Sequence, residues 1–77
     1  MTARVIKHSL VIAGHRTSIS LEDAFWSELK ACAQARGLSL AALVTEIDGT
    51  RGQANLSSAI RVYLFNRAKD AARSQTP

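Results

Sequence analysis

The chain has 77 residues, with ten Lys and Arg against six Asp and Glu and a net charge of +4. That length allows one domain whose single core is barely sufficient, and a single cysteine excludes an internal disulfide framework. No run approaches the roughly 20 apolar residues of a membrane span. Leu10-Val11-Ile12-Ala13, behind Arg4 and Lys7, imitates a signal peptide, but it is short and Gly14-His15-Arg16 follows it in place of a small-residue cleavage site. Neither a membrane nor a secretory route is expected, and an unpaired Cys32 on an apolar helix face suits a cytoplasmic protein.

The charge is uneven. Residues 1–20 hold Arg4, Lys7 and Arg16 and no acid, 21–54 is slightly acidic, and 55–77 carries Arg61, Arg67, Lys69 and Arg73 against Asp70. Two basic ends favour a polyanionic partner.

Taken in order, Met1–Arg4 reads as a frayed end. Residues 5–13 are rich in β-branched side chains and read as a strand. Gly14-His15 fits a two-residue turn with Gly first. A fold there sets Ile12 against Thr17, Leu10 against Ile19 and His8 against Leu21, leaving Lys7, Ser9, Val11, Arg16, Ser18 and Ser20 on the opposite face. An extended arm ending at Gly14 would give a similar pattern. Residues 16–21 alternate, with Thr17, Ile19 and Leu21 on one side, as in a half-buried strand. The period then changes at Leu21.

Phe25, Leu29, Cys32 and Ala33, flanked by Trp26, have helical spacing, so a first helix is expected over 22–36, capped by Ser20 or Glu22 and ended by Gly37. Ser39 caps a second helix over 40–48, with Leu40, Leu43, Val44 and Ile47 on one side. Thr50–Ala54 is a polar linker. Asn55 caps a third helix over 56–72, with a stripe of Leu56, Ala59, Ile60, Tyr63, Leu64 and Arg67. Ser74–Pro77 is a loose end.

The run of strand, helix, Gly37-Leu38-Ser39 turn and helix resembles the ribbon-helix-helix family of small bacterial DNA-binding proteins. Phe25, Trp26 and Leu29 follow Leu21 at the family's offsets, and Leu43 with Val44 matches the apolar pair of its second helix. Glu22 stands where Pro is common. His15–Trp26 and Asn55–Ala59 look like a branch of that superfamily found as stand-alone bacterial proteins. The resemblance implies an α+β fold, a ribbon followed by helices, built as an intertwined homodimer. Its core would be Ile19, Leu21, Phe25, Trp26, Leu29, Leu43, Val44 and Ile47. Phe25, Leu29, Leu43, Val44 and Ile47 are more apolar surface than one short strand covers, which argues that the dimer is obligate. The third helix exceeds the family's basic plan. It either extends the dimer core or covers surface that a plainer member leaves open.

In the family, strands from two subunits pair antiparallel and lie in the DNA major groove. The resemblance therefore assigns base contacts to Arg16, Ser18 and Ser20. Phosphate contacts fall to the start of the second helix, at Leu38, Ser39 and Leu40, with the basic Lys7 added. The expected function is a DNA-binding transcriptional regulator, its partners double-stranded DNA and a second copy of itself. The rival is a protein-interaction module, an adaptor or antitoxin on the same scaffold. A hairpin over 5–21 favours the rival and a basic arm favours DNA, because four strands side by side overfill a groove about 12 Å wide. No catalytic residue, metal site or cofactor is expected. His8 and His15 have no acid near them in sequence, the serines have strand or cap roles, and His8, His15 and Cys32 lack metal-ligand spacing.

Overall fold

The computed structural model describes residues 4–53 and 55–74, so the two expected frayed ends lie largely, and Ala54 of the linker wholly, outside the described residues. The order of elements is β1 (Val5–Ile12), β2 (His15–Glu22), α1 (Asp23–Ala35), α2 (Leu40–Thr50) and α3 (Leu56–Ser74).

The hairpin is formed, and the extended arm is not. Its turn is Ala13-Gly14, with φ of 50° and 78°. Two successive positive φ values give the primed turn whose twist matches that of paired strands. The register runs from Val5↔Glu22 through His8↔Ile19 and Leu10↔Thr17 to Ile12↔His15. The expected turn at Gly14-His15 is therefore corrected by one residue, and the pairing slides by two. Glycine serves as the second turn residue instead of the first. A slide of two preserves the faces. Ile12, Ile19 and Leu21 are still buried together, and Lys7, Ser9, Val11, Arg16 and Ser18 still face solvent.

Helix α1 begins at Glu22, which is its N-cap without a side-chain capping bond. Ser20, the other candidate cap, stays in β2. The first helical N–H, of Asp23, is met instead by the Arg4 carbonyl at 3.1 Å, continuing the hairpin ladder. At the far end Gly37 takes φ 69°. Its N–H bonds Gln34 O at 3.1 Å while Leu38 N–H bonds Ala33 O at 2.9 Å. These two bonds make the left-handed glycine stop that satisfies the last helical carbonyls. Ser39 Oγ accepts from Ala42 N–H at 3.0 Å, and Asn55 Oδ1 accepts from Ser58 N–H at 2.8 Å. Both expected caps are in place. Helix α2 runs through Gly49 to Thr50, two residues past its expected end at Asp48. Thr50 Oγ1 bonds Ile47 O, and Arg51 Nε pairs with Asp48, which carries the helix over the glycine.

One core lies between the hairpin and the three helices. Ile12, Ile19, Leu21, Leu29, Cys32, Ala33, Leu43, Val44, Ile47, Ile60 and Leu64 are all buried in a single chain. Phe25 and Trp26 are half-buried at its rim. Leu29, Leu43 and Val44 are 0% exposed and Ile47 2%. The expectation that they would stay wet in a monomer is corrected, because the hairpin and Ile60 and Leu64 of α3 cover them. With that, the packing reason for an obligate dimer is removed. Cys32 is a free, buried thiol, as its place on the apolar face implied.

Candidate nucleic-acid interface

The sheet has two strands and two faces of different chemistry. Inward, His8 stacks on Trp26 with ring centroids 3.6 Å apart and planes 4° from parallel. That stack fastens β1 to α1, although His8 Nε2 is buried without a hydrogen-bond partner among the described residues. Outward, the cross-strand pairs are Val11↔Arg16, Ser9↔Ser18 and Lys7↔Ser20. Cross-strand neighbours on one face stand about 5 Å apart. Arg16 and Ser18 are thus flanked by Val11 and Ser9, and Lys7 sits on the same face as the residues expected to read bases. Val11 is 60% exposed. Arg16, Ser18, Ser9 and Lys7 are exposed too, whereas Ser20 is only half-buried, near the foot of the hairpin.

The single acid on this face is Glu22, at the foot. Arg61 Nε bonds its Oε1 at 2.9 Å. A hydrogen bond from its own backbone amide, and then the one from Arg61, hold the Glu22 carboxyl below the usual carboxylate range. From Lys7 to Arg16 around the tip, the outer face therefore presents cations, hydroxyls and one valine, with no acid.

Sequence reasoning missed how β2 is finished along its other edge. Ser20 N–H donates to Ser57 Oγ at 3.0 Å, and Arg61 NH2 donates to the Ser20 carbonyl at 3.1 Å. Both partners come from α3, 37 and 41 residues away, so no local pattern announces them. Arg61 also stands over the Phe25 ring, 5.9 Å from its centroid.

The second expected contact region is at the start of α2. Leu38 N–H is committed to Ala33 O within the glycine stop, so it is not available to a phosphate. The Ser39, Leu40 and Ala41 N–H groups have no partner among the described residues, while Ser39 Oγ is engaged with Ala42. Three N–H groups at a helix start favour an anion. Behind α2, Arg36 holds Glu46 through both guanidinium nitrogens and donates to Tyr63 Oη at 3.0 Å, tying α1, α2 and α3 together. The bond to Arg36 lowers the pKa of Glu46 and raises that of Arg36.

Among the described residues, no group of three or more His, Cys, Asp and Glu could hold a metal, and no helix is long and apolar enough to cross a membrane. The arrangement is a small basic β-hairpin set on a three-helix platform. A family model described as the ribbon-helix-helix domain matches residues 5–68, and the chain belongs to that family. The family generally binds DNA and forms dimers. No curated protein and no solved structure matches the chain.

Proposed function

We propose that the protein is a DNA-binding transcriptional regulator that reads the major groove with the outer face of its hairpin. The observation that carries this reading is the stretch of the outer face above Glu22, where Lys7, Ser9, Val11, Arg16 and Ser18 lie side by side with no acid among them. Arg16 is the base reader, through the bidentate fork that matches guanine. Ser18 is a permissive hydroxyl contact, and Ser20 is a marginal one at the foot. Lys7 and the α2 start at Ser39 and Leu40 contact phosphate. The working form on DNA is a homodimer, as is general in the family.

The test separates reading from charge. Arg16→Ala lowers affinity for a selected site by about 1–3 kcal/mol and relaxes base preference at one position. Lys7→Ala weakens all sequences alike and reduces the salt slope by about one. Binding measured across salt concentrations on selected and scrambled duplexes decides. If Arg16→Ala binds every sequence as its parent does, the ribbon-reader reading is lost.

One observation favours the second reading, a protein-interaction module such as an adaptor or antitoxin. The hairpin exists, and Val5 and Val11 are 57% and 60% exposed on its outer face. On that reading, neither variant alters a sequence-specific DNA complex, because none forms.

A further inference from the structure

One edge of β2 is paired with β1, from Val5↔Glu22 to Ile12↔His15. The other edge is satisfied at one residue only. Ser20 N–H donates to Ser57 Oγ at 3.0 Å, and the Ser20 carbonyl accepts from Arg61 at 3.1 Å. Arg61 is itself bonded to Glu22 at 2.9 Å and stands over the Phe25 ring. Because the backbone groups of a strand alternate between its edges, those of Arg16 and Ser18 point the same way as those of Ser20. They have no partner among the described residues, and such a row is a template for another strand. The outer edge of β1 is open as well. Pairing there would set the two β1 strands at the centre of a joint sheet and move Arg16 to its flanks, away from the bases.

We propose that two copies pair their β2 strands antiparallel over Arg16–Ser18, and that α3, by holding Ser20 through Ser57 and Arg61, fixes the register of that pairing. This rests on the DNA-reading function above, whose working form is a homodimer. A slip by an odd number of residues would turn the helices of one copy toward the DNA. The even slips differ in the groups they use. With Ser18 against Ser18, Arg16 meets Ser20 of the second copy, whose groups α3 already holds. With Arg16 against Arg16, like charges stand directly opposite, and Ser18 falls against Gly14 in the turn. With Arg16 against Ser18, all the open groups of both copies are used, and Thr17 meets Thr17 on the two-fold axis. Ser20 then falls against the turn of the second copy at Gly14, which continues no ladder. The groups that this register leaves over are those that α3 satisfies. The consequence is for reading. The two Arg16 Cα atoms stand about 8 Å apart, against about 14 Å in the register centred on Ser18, so α3 sets the spacing of the bases they contact. Two β2 strands about 4.8 Å apart fit a groove about 12 Å wide. The β1 strands flank them, turned by the twist of the sheet.

Cross-linking of the full chain tests this. In the proposed register Thr17 lies opposite its copy at the close spacing of a non-hydrogen-bonded pair, about 4.5 Å between Cα atoms, within reach of a disulfide. Under mild oxidation on a selected duplex, Thr17→Cys is therefore expected to give covalent dimer severalfold faster than Ser18→Cys. The parent, whose Cys32 is buried, is the control. Faster cross-linking of Ser18→Cys means a register centred on Ser18 and overturns the proposal. Failure of both variants to cross-link, while they bind DNA as the parent does, means that the β2 strands lie apart and overturns it too. A second measurement isolates α3. Adding Ser57→Ala with Arg61→Ala releases Ser20, and cross-linking through Ser18→Cys is expected to rise severalfold relative to Thr17→Cys. A ratio unchanged by that pair means that α3 does not set the register. Where the pair fails to fold, Ser57→Ala alone is compared, with the same expectation. A parent that selects no duplex defeats the proposed function. The ratio of cross-links in concentrated protein without DNA then decides the register separately.

Discussion

At the scale of single residues, the hairpin turn is where local chemistry and fold agree least. Ala13 is the one non-glycine residue with positive φ among the described residues, at 50°, and Gly14 beside it takes 78°. An L-residue with a Cβ pays roughly 1–2 kcal/mol to sit in the left-handed region, whereas asparagine visits it readily. Primed turns favour Asn-Gly for that reason. Ala13→Asn is therefore expected to stabilise the protein by about 0.5–1 kcal/mol, read as a higher urea midpoint at unchanged slope. Gly14→Ala should lose at least as much. If Ala13→Asn lowered the midpoint, the turn would not be centred on Ala13-Gly14. The same pair explains why the register is ambiguous in the sequence. A glycine can serve either position of a two-residue turn, and Ala13 gives no hint that it accepts a left-handed backbone. The alternation of apolar residues cannot resolve it, because a slide of two leaves every side chain on its own face.

Elements are where the sequence was most legible. Caps at Ser39 and Asn55 and the glycine stop at Gly37 are local devices, and each sits where its residue type implied. Gly49 looks like a helix stop in the sequence, whereas bonds from Thr50 and Arg51 back to Ile47 and Asp48 carry α2 past it. The role of α3 was open to two readings and could not be settled locally. Its contacts with β2 join residues about forty positions apart, and Ser57 and Arg61 look from sequence like an ordinary first-turn serine and a surface cation. This docking has a pH signature. Both Glu22, through its own backbone amide and Arg61, and Glu46, through Arg36, have pKa values lowered by folding from the usual value of 4.5. A carboxylate with a depressed folded pKa adds stability that is full above its unfolded pKa and is lost as pH falls through the folded one. Stability should thus hold from neutral pH down to about 5 and decline through and below about pH 4.5, where protonation releases Arg61 and Arg36. Glu22→Gln, by removing one of these groups, flattens the decline in thermal melts taken between pH 7 and 3. Added salt should flatten it as well, since both pairs are solvent-accessible. A variant as acid-sensitive as its parent would show that Glu22 does not contribute to the docking of α3.

For the molecule as a whole, the question is what a second copy adds. A domain of this size has little stability to spare, which made an intertwined dimer the natural expectation from sequence. The packing of one chain answers it differently. Ile19, Leu21, Leu29, Leu43, Val44 and Ile60 are each no more than 1% exposed without any partner. Phe65 and Val62 of α3, with Val5 and Val11 of the hairpin, are the large apolar side chains that remain outside among the described residues. They lie on two separate elements and are not a core waiting to be closed. Folding should therefore not depend on association. Anything that binds only the folded state stabilises it by mass action, and a hundredfold change in concentration relative to the dissociation constant is worth about 2.7 kcal/mol. In a domain of this length that amounts to several degrees of Tm for an obligate dimer. Here the melting midpoint is expected to stay constant, within a degree or so, from the most dilute solution that fluorescence of Trp26 can follow to the most concentrated that stays clear. Sedimentation at the dilute end should find folded monomer. A midpoint that climbs steadily with concentration would mean that two chains share a core after all, and that the closed packing of one chain is not how the protein stands in solution. A constant midpoint alongside dimers on DNA would mean that the second copy serves recognition and not folding.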